Sequence, residues 1–177
     1  MDNFGFIHGE LDTKILILYV LRRLPRPVDG EKLAELCSFD NGVGWFDYSD
    51  CLADLVDNGH VERLEGGRYL ITEKGKTNGE AAETSLPYSV RVKADRLTEP
   101  VAERMRRDAM IETSHEVSAG GVMTRLRLSD GKGEILSLAL LVPDEETAAA
   151  MEKAFRTDAE GIYQRVAEIL TDGMEKA

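Results

Sequence analysis

Two cysteines, one tryptophan and five prolines are all that 177 residues contain, and each scarcity removes a class of protein. Cys37 and Cys51 are too few for a disulfide scaffold, and both fall on apolar helix sides, so buried reduced thiols are expected. His8, His60 and His115 are far apart, with no Cys-x-x-Cys or His-x-x-x-His among them, and no metal site is expected. No apolar run reaches the roughly 18 residues that a membrane span needs, and Met1-Asp2-Asn3-Phe4 lacks the basic start of a secretory signal. A cytoplasmic protein without membrane contact is the expectation. The chain also lacks Gly-x-Ser-x-Gly, a phosphate-binding glycine loop, and a histidine close to a nucleophile, so no enzyme and no cofactor are expected. Positive charge is the last scarcity: 22 Lys and Arg stand against 33 Asp and Glu, a net charge of −11.

Most informative among what is present is the stretch from residue 11 to residue 75. Leu11, Ile15, Leu18 and Arg22 recur at three and four, and Ile17, Val20, Leu21 and Leu24 widen that stripe into the arc of a central helix, ended by Pro25 and Pro27. A short second helix is predicted from about Asp29, with Glu31 near its positive end and Leu33, Ala34, Leu36 and Cys37 on one face. After the turn Asp40-Asn41-Gly42-Val43-Gly44, a third helix runs from about Trp45 to Asn58, with Tyr48, Leu52, Leu55 and Val56 buried and Asn58-Gly59 as its C-cap. Two extended runs, His60 to Leu64 and Arg68 to Ile71, flank Gly66-Gly67 and predict a hairpin, after which Thr72 caps a further helix or turn.

Helices and hairpin in this order resemble the winged helix-turn-helix of bacterial transcriptional regulators, particularly those whose hairpin ends in a segment like Tyr69-Leu70-Ile71-Thr72-Glu73-Lys74-Gly75. With Leu11 to Tyr19, Leu86-Pro87-Tyr88-Ser89-Val90-Arg91 and Phe155…Ile162-Tyr163, the chain is similar to an uncharacterised bacterial family that sets a winged helix before an α+β domain. The resemblance implies a regulator, without a ligand, operator or chemistry to carry over.

Residues 75–85 read as a polar helix or a linker, and a boundary is expected near Leu86-Pro87, giving a winged helix-turn-helix domain over residues 1–85 and an α+β dimerisation or sensing domain over residues 86–177. Between Tyr88 and Met110, Pro100 divides the pattern, with Thr98 as a fresh N-cap, so two helical pieces are predicted. Alternation then predicts three antiparallel strands. Pairing Val117 with Val122 sets Glu112 opposite Arg127, and a short loop at Asp130-Gly131-Lys132-Gly133 aligns Leu126 and Leu128 with Leu138 and Leu136. From Pro143 a long helix presents Ala148, Met151, Phe155, Ala159, Ile162, Val166, Ile169 and Leu170 to that sheet.

The winged helix implies double-stranded DNA as partner, with Lys32, Trp45, Tyr48, Ser49, Arg63, Arg68 and Lys74 as contacts and a homodimer as the binding form. Charge points elsewhere. Asp47, Asp50, Asp54 and Asp57 share one edge of the third helix at ~100° per residue, and residues 1–85 hold nine basic and sixteen acidic side chains. Readers of nucleic acid carry basic patches. The alternative is a protein-interaction module that keeps the winged-helix scaffold and turns this acidic edge to a basic partner. The basic run Arg91, Lys93, Arg96, Arg104, Arg106 and Arg107 reads first as a solvated helix face. A small-molecule effector contacted by Tyr88, His115 and Tyr163 is a third expectation.

Overall fold

Ile15 to Leu21 are all buried, side chain after side chain, so the first helix is wrapped on every side, as its broad apolar arc requires. The structure is a computed structural model that describes residues 7, 9–39 and 43–174. His8 and Asp40-Asn41-Gly42 of the expected turn lie outside the described residues. Among those described, six α-helices and two three-stranded antiparallel sheets make a mixed α+β chain that divides into two units, Met1–Met105 and Arg106–Ala177.

In the first unit, α1 (Gly9–Arg23), α2 (Gly30–Cys37) and α3 (Trp45–Asp57) precede a hairpin of β2 (Val61–Leu64) and β3 (Arg68–Ile71). Leu11, expected in the α1 stripe, is 69% exposed. Asp29 Oδ1 accepts from Lys32 N at 2.8 Å and caps α2, and the same residue belongs to a two-residue strand, β1 (Val28–Asp29), which pairs antiparallel with β3. Sequence reasoning missed β1, because two residues carry no alternation. Gly59 at φ +70° ends α3, and Gly66 and Gly67 at φ +76° and +72° turn the hairpin; L side chains are strained in this region.

α4 (Glu73–Ala82) resolves the helix-or-linker alternative as helix, with Thr72 Oγ1 accepting from Gly75 N at 3.1 Å as its cap. Its glycines are contact points. A Cβ on Gly79 would lie 3.2 Å from Leu18 Cβ, and one on Gly75 would lie 2.1 Å from the His60 carbonyl oxygen.

α5 (Tyr88–Ala109) runs unbroken through Pro100, correcting the expected pair of helical pieces. Thr98 is not an N-cap but a fully buried side chain within the helix. Proline deprives the Arg96 carbonyl of its helical donor, and because Arg96 and Pro100 are both exposed, water can take that place. The division between units falls after Met105, inside α5 and later than the expected boundary near residue 86, because Leu86, Val90, Ala94 and Ala102 belong to the core built on α1. Tyr19 Oη donates to Asp95 Oδ1 at 3.0 Å, and Arg23 pairs with the same carboxylate. Burial and that hydrogen bond push the Tyr19 phenol up to about 12.

The second unit is β4 (Ile111–Ser118), β5 (Gly121–Ser129), β6 (Glu134–Val142) and α6 (Glu145–Met174). Its registers are those expected: Val117 opposite Val122, Glu112 opposite Arg127, Leu126 and Leu128 opposite Leu138 and Leu136. Asp144 Oδ1 accepts from Thr147 N at 2.7 Å at the start of α6, and this bond holds its carboxyl below the usual range. Ala148, Phe155 and Ala159 are buried on the sheet, whereas Ile169 and Leu170, expected on the same stripe, are 70% and 65% exposed. The helix is kinked at Asp158, whose φ of −144° and ψ of 48° are not helical, so the stripe does not continue straight.

Candidate functional site

An open cleft of about 810 Å³ lies in the first unit between α3, the start of α2 and the hairpin. Trp45, Ser49, Leu52, Ala53 and Val56 form its α3 wall, four residues or fewer apart as one helix face demands. Arg63 and Tyr69, opposite each other in the hairpin, form the other wall, and Gly30, where an added Cβ would lie 3.1 Å from the Tyr69 ring, leaves that ring room. Asp29, Glu31 and Asp57 place carboxylates on its rim, against the single cation Arg63 among the lining residues. Trp45 is 62% exposed and Phe46, beside it, 82%.

The residues expected to meet DNA divide here. Trp45, Ser49 and Arg63 line the cleft, and Arg68 is exposed on the hairpin. Tyr48 also lines the cleft but is only 2% exposed, with its hydroxyl enclosed and without a hydrogen-bond partner among the described residues. Burial pushes its phenol far up, out of the physiological range. Its place on the apolar side of α3 takes it into the core, as expected of that helix face, and leaves little of it exposed to serve as the expected contact. Lys74 donates to the Asn58 carbonyl at 2.7 Å, tying off the C-terminal end of α3, and Lys32 pairs with Glu35 at 2.8 Å. Other cations of this unit are also engaged, Arg22 with Glu83 at 2.7 Å and Lys76 with Glu73 at 2.6 Å. Among the described residues, Arg63 and Arg68 have no ion pair.

Asp47, Asp50, Asp54 and Asp57 are all exposed. Asp54 accepts from Lys14 at 2.9 Å, and Glu10 shares that ammonium; the other three meet no cation among the described residues. Asp57 alone of the four lines the cleft. Cys37 and Cys51 are unpaired and buried, and burial raises both thiols above their ordinary range, which keeps them protonated and unreactive. No group of three or more His, Cys, Asp or Glu among the described residues is placed to hold a metal ion, and no helix is long and apolar enough to cross a membrane.

None of the residues expected to contact an effector is among those that line this cleft. Tyr88 is 75% exposed on the first unit. In the second, His115 Nδ1 lies 2.8 Å from Glu152 Oε1, Thr113 Oγ1 donates to Glu152 at 3.2 Å, and Tyr163 is 38% exposed.

His60 sits behind the hairpin, with Nδ1 enclosed and Nε2 2.7 Å from Asn78. Burial first, and Lys74 second, hold its pKa below the ordinary value. The unfolded chain therefore takes up a proton near pH 6.5 before the folded one does, so stability contributed by neutral His60 is present above that pH and lost as pH falls through the window beneath it. Urea unfolding midpoints are expected to fall between pH 7.5 and 5, and His60→Gln is expected to flatten that segment; an unchanged slope in the variant would contradict the assignment.

No curated protein and no solved structure matches the chain. A family model covers residues 13–170, and the chain belongs to that family, the domain of unknown function DUF4364.

Proposed function

We propose that the first unit is a winged-helix module whose cleft binds a basic, apolar-anchored segment of a protein partner, within a non-enzymatic regulator that acts as a two-fold dimer. The element order α1, α2, α3 and hairpin, with β1 paired onto β3, supports the scaffold. The observation that carries the binding mode is Trp45, 62% exposed in a cleft whose lining includes Asp29, Glu31 and Asp57, with Phe46, 82% exposed, next to it on α3. Exposed aromatics at a concave site are the side chains that most often anchor protein interfaces. Asp47, Asp50 and Asp57 would repel phosphates at the helix that a DNA reader lays in the groove, and the same charges steer a cationic partner.

A random-peptide library selected on the purified protein, with Trp45→Ala/Phe46→Ala as counter-selection, is expected to enrich sequences that set Lys or Arg beside bulky apolar residues. An enriched peptide is expected to lose about tenfold or more in affinity on Trp45→Ala, roughly 1.4 kcal/mol. Equal selection by wild type and variant would overturn the reading.

DNA binding is the second reading, favoured by Arg63 and Arg68, exposed on the hairpin and without ion pairs among the described residues. It requires the hairpin to supply the phosphate contacts that α3 does not.

A further inference from the structure

Positive charge is scarce in this chain, yet in the second unit three cations gather round one hollow with little to neutralise them. An open concavity of about 490 Å³ on α6 is lined by Arg107, Ala149, Glu152, Lys153, Arg156 and Thr157. Lys153 and Arg156 stand three residues apart on one face of the helix, and Arg107 comes from the last turn of α5, within the same unit. None of the three makes an ion pair among the described residues. Glu152 is the one carboxylate of this lining, and both its oxygens are engaged: Oε1 lies 2.8 Å from His115 Nδ1, and Oε2 accepts from Thr113 Oγ1 at 3.2 Å. Arg156 is held by the same set of contacts, since its Nε donates to Thr113 Oγ1 at 3.0 Å. That bond spends one donor on a neutral hydroxyl. The guanidinium is therefore anchored while its charge stays uncompensated and its terminal nitrogens meet no acceptor among the described residues.

We infer that this hollow binds a compact oxyanion, the phosphoryl or carboxylate group of a small molecule. Guanidinium groups meet the oxygen pairs of either group with paired hydrogen bonds, and a lysine adds a point charge. A guanidinium already anchored on Thr113 loses less freedom on binding than a mobile one. The volume falls within the range of about 300–1,000 Å³ that small-molecule sites span. Charge around the hollow limits the size of the ligand. Past Thr157 an adjoining pocket shares Arg107 and Arg156 but adds Asp158 and Glu160, and those carboxylates repel a polyanion laid along the helix while leaving room for one anionic group. His115, expected as an effector contact, is not among the lining residues and acts through Glu152 instead. The inference is independent of the cleft in the first unit and gives the second unit a ligand of its own.

Backbone amide resonances of the full chain, titrated with inorganic phosphate and separately with citrate at matched ionic strength, test this. At least one anion is expected to shift the amides of Arg107, Thr113 and residues 152–157 saturably at millimolar concentration or below. Saturation by phosphate alone identifies a phosphoryl ligand, and saturation by citrate alone a carboxylate one. Arg156→Gln is expected to weaken binding about tenfold or more and Lys153→Gln about threefold or more, as charge-assisted hydrogen bonds are lost. Thr113→Val leaves every charge in place and is expected to weaken binding about threefold, because the guanidinium loses its anchor. Lys132→Gln, on the loop between β5 and β6, should leave the affinity unchanged. Shifts that fail to saturate with either anion, or that persist undiminished in both Arg156→Gln and Lys153→Gln, would overturn the site. Duplex DNA that displaces phosphate from these residues would assign the cations to a polyanion and overturn the small ligand.

Discussion

Phe155→Ala is expected to lower the stability of the second unit by about 3–5 kcal/mol, the cost of deleting a fully buried phenyl ring. The ring is 0% exposed and is the largest side chain in a cluster with Ile111, Leu126, Leu128 and Ala159. Few alternatives exist to fill its place. The remaining buried apolar residues of this unit form a small group around Val122, Val142 and Ala148, and one kinked helix covers one face of a three-stranded sheet. A cavity there can close only if α6 sinks toward β5, which the backbone hydrogen bonding of the sheet resists. Phe155→Leu, which keeps most of the volume, is expected to cost about 1–1.5 kcal/mol. Urea unfolding followed by far-ultraviolet circular dichroism, with hydrogen exchange locating the loss in residues 106–174, distinguishes these. A change below about 1 kcal/mol for the alanine variant would show that α6 does not pack on the sheet through this ring.

Gly75→Ala is expected to destabilise the first unit by about 3 kcal/mol, although alanine is intrinsically the better helix former by about 1 kcal/mol. The sign is decided by space. A Cβ at Gly75 would lie 2.1 Å from the His60 carbonyl oxygen and 2.8 Å from Ile71 Cγ1. The carbonyl cannot simply move aside, because it accepts from Thr72 N and from Thr72 Oγ1, both at 3.1 Å. Relief therefore requires α4 to shift off the hairpin or the Thr72 cap to open. Gly133→Ala provides the contrast, with nothing within 4 Å of its added methyl and no positive φ, and is expected to change stability by less than about 0.5 kcal/mol. A stable Gly75→Ala protein with wild-type hydrogen exchange in α4 would refute the close approach.

These glycines illustrate how far the sequence could be read. Gly75 and Gly79 made residues 75–85 look as much like a linker as a helix, since glycine weakens a helix in isolation; four residues apart, they lie on one helical face where His60 and α1 come too close for a side chain. Only tertiary contact distinguishes the two. Where the signal was local it was sufficient: alternation between glycine turns specified the register of all three strands of the second sheet, because a one-residue slip would have exposed Leu126 and Leu128. The unbroken α5 was not legible, because whether Pro100 breaks a helix depends on whether its unsatisfied carbonyl reaches water.

The candidate site was half legible for the same reason. Helical spacing puts Trp45 and Ser49 on one face and the four aspartates on another. It places Tyr48 on the apolar side, where the side chain lines the cleft with only 2% of its surface exposed. The capture of Lys74 by the Asn58 carbonyl has no sequence signature, since every residue offers a carbonyl. The cleft itself needs the hairpin folded over α3, a long-range fact that periodicity does not carry.

The central claim, that the exposed surface of α3 and the hairpin engages a cationic protein segment rather than phosphates, is tested most directly by fluorescence anisotropy of labelled duplex DNA, pooled from genomic fragments and titrated with the full chain across salt concentrations. The account predicts no saturable binding even at low ionic strength. Binding that weakens linearly with salt on logarithmic axes, with a shallower slope in Arg63→Ala/Arg68→Ala, would place phosphates against the hairpin and contradict it.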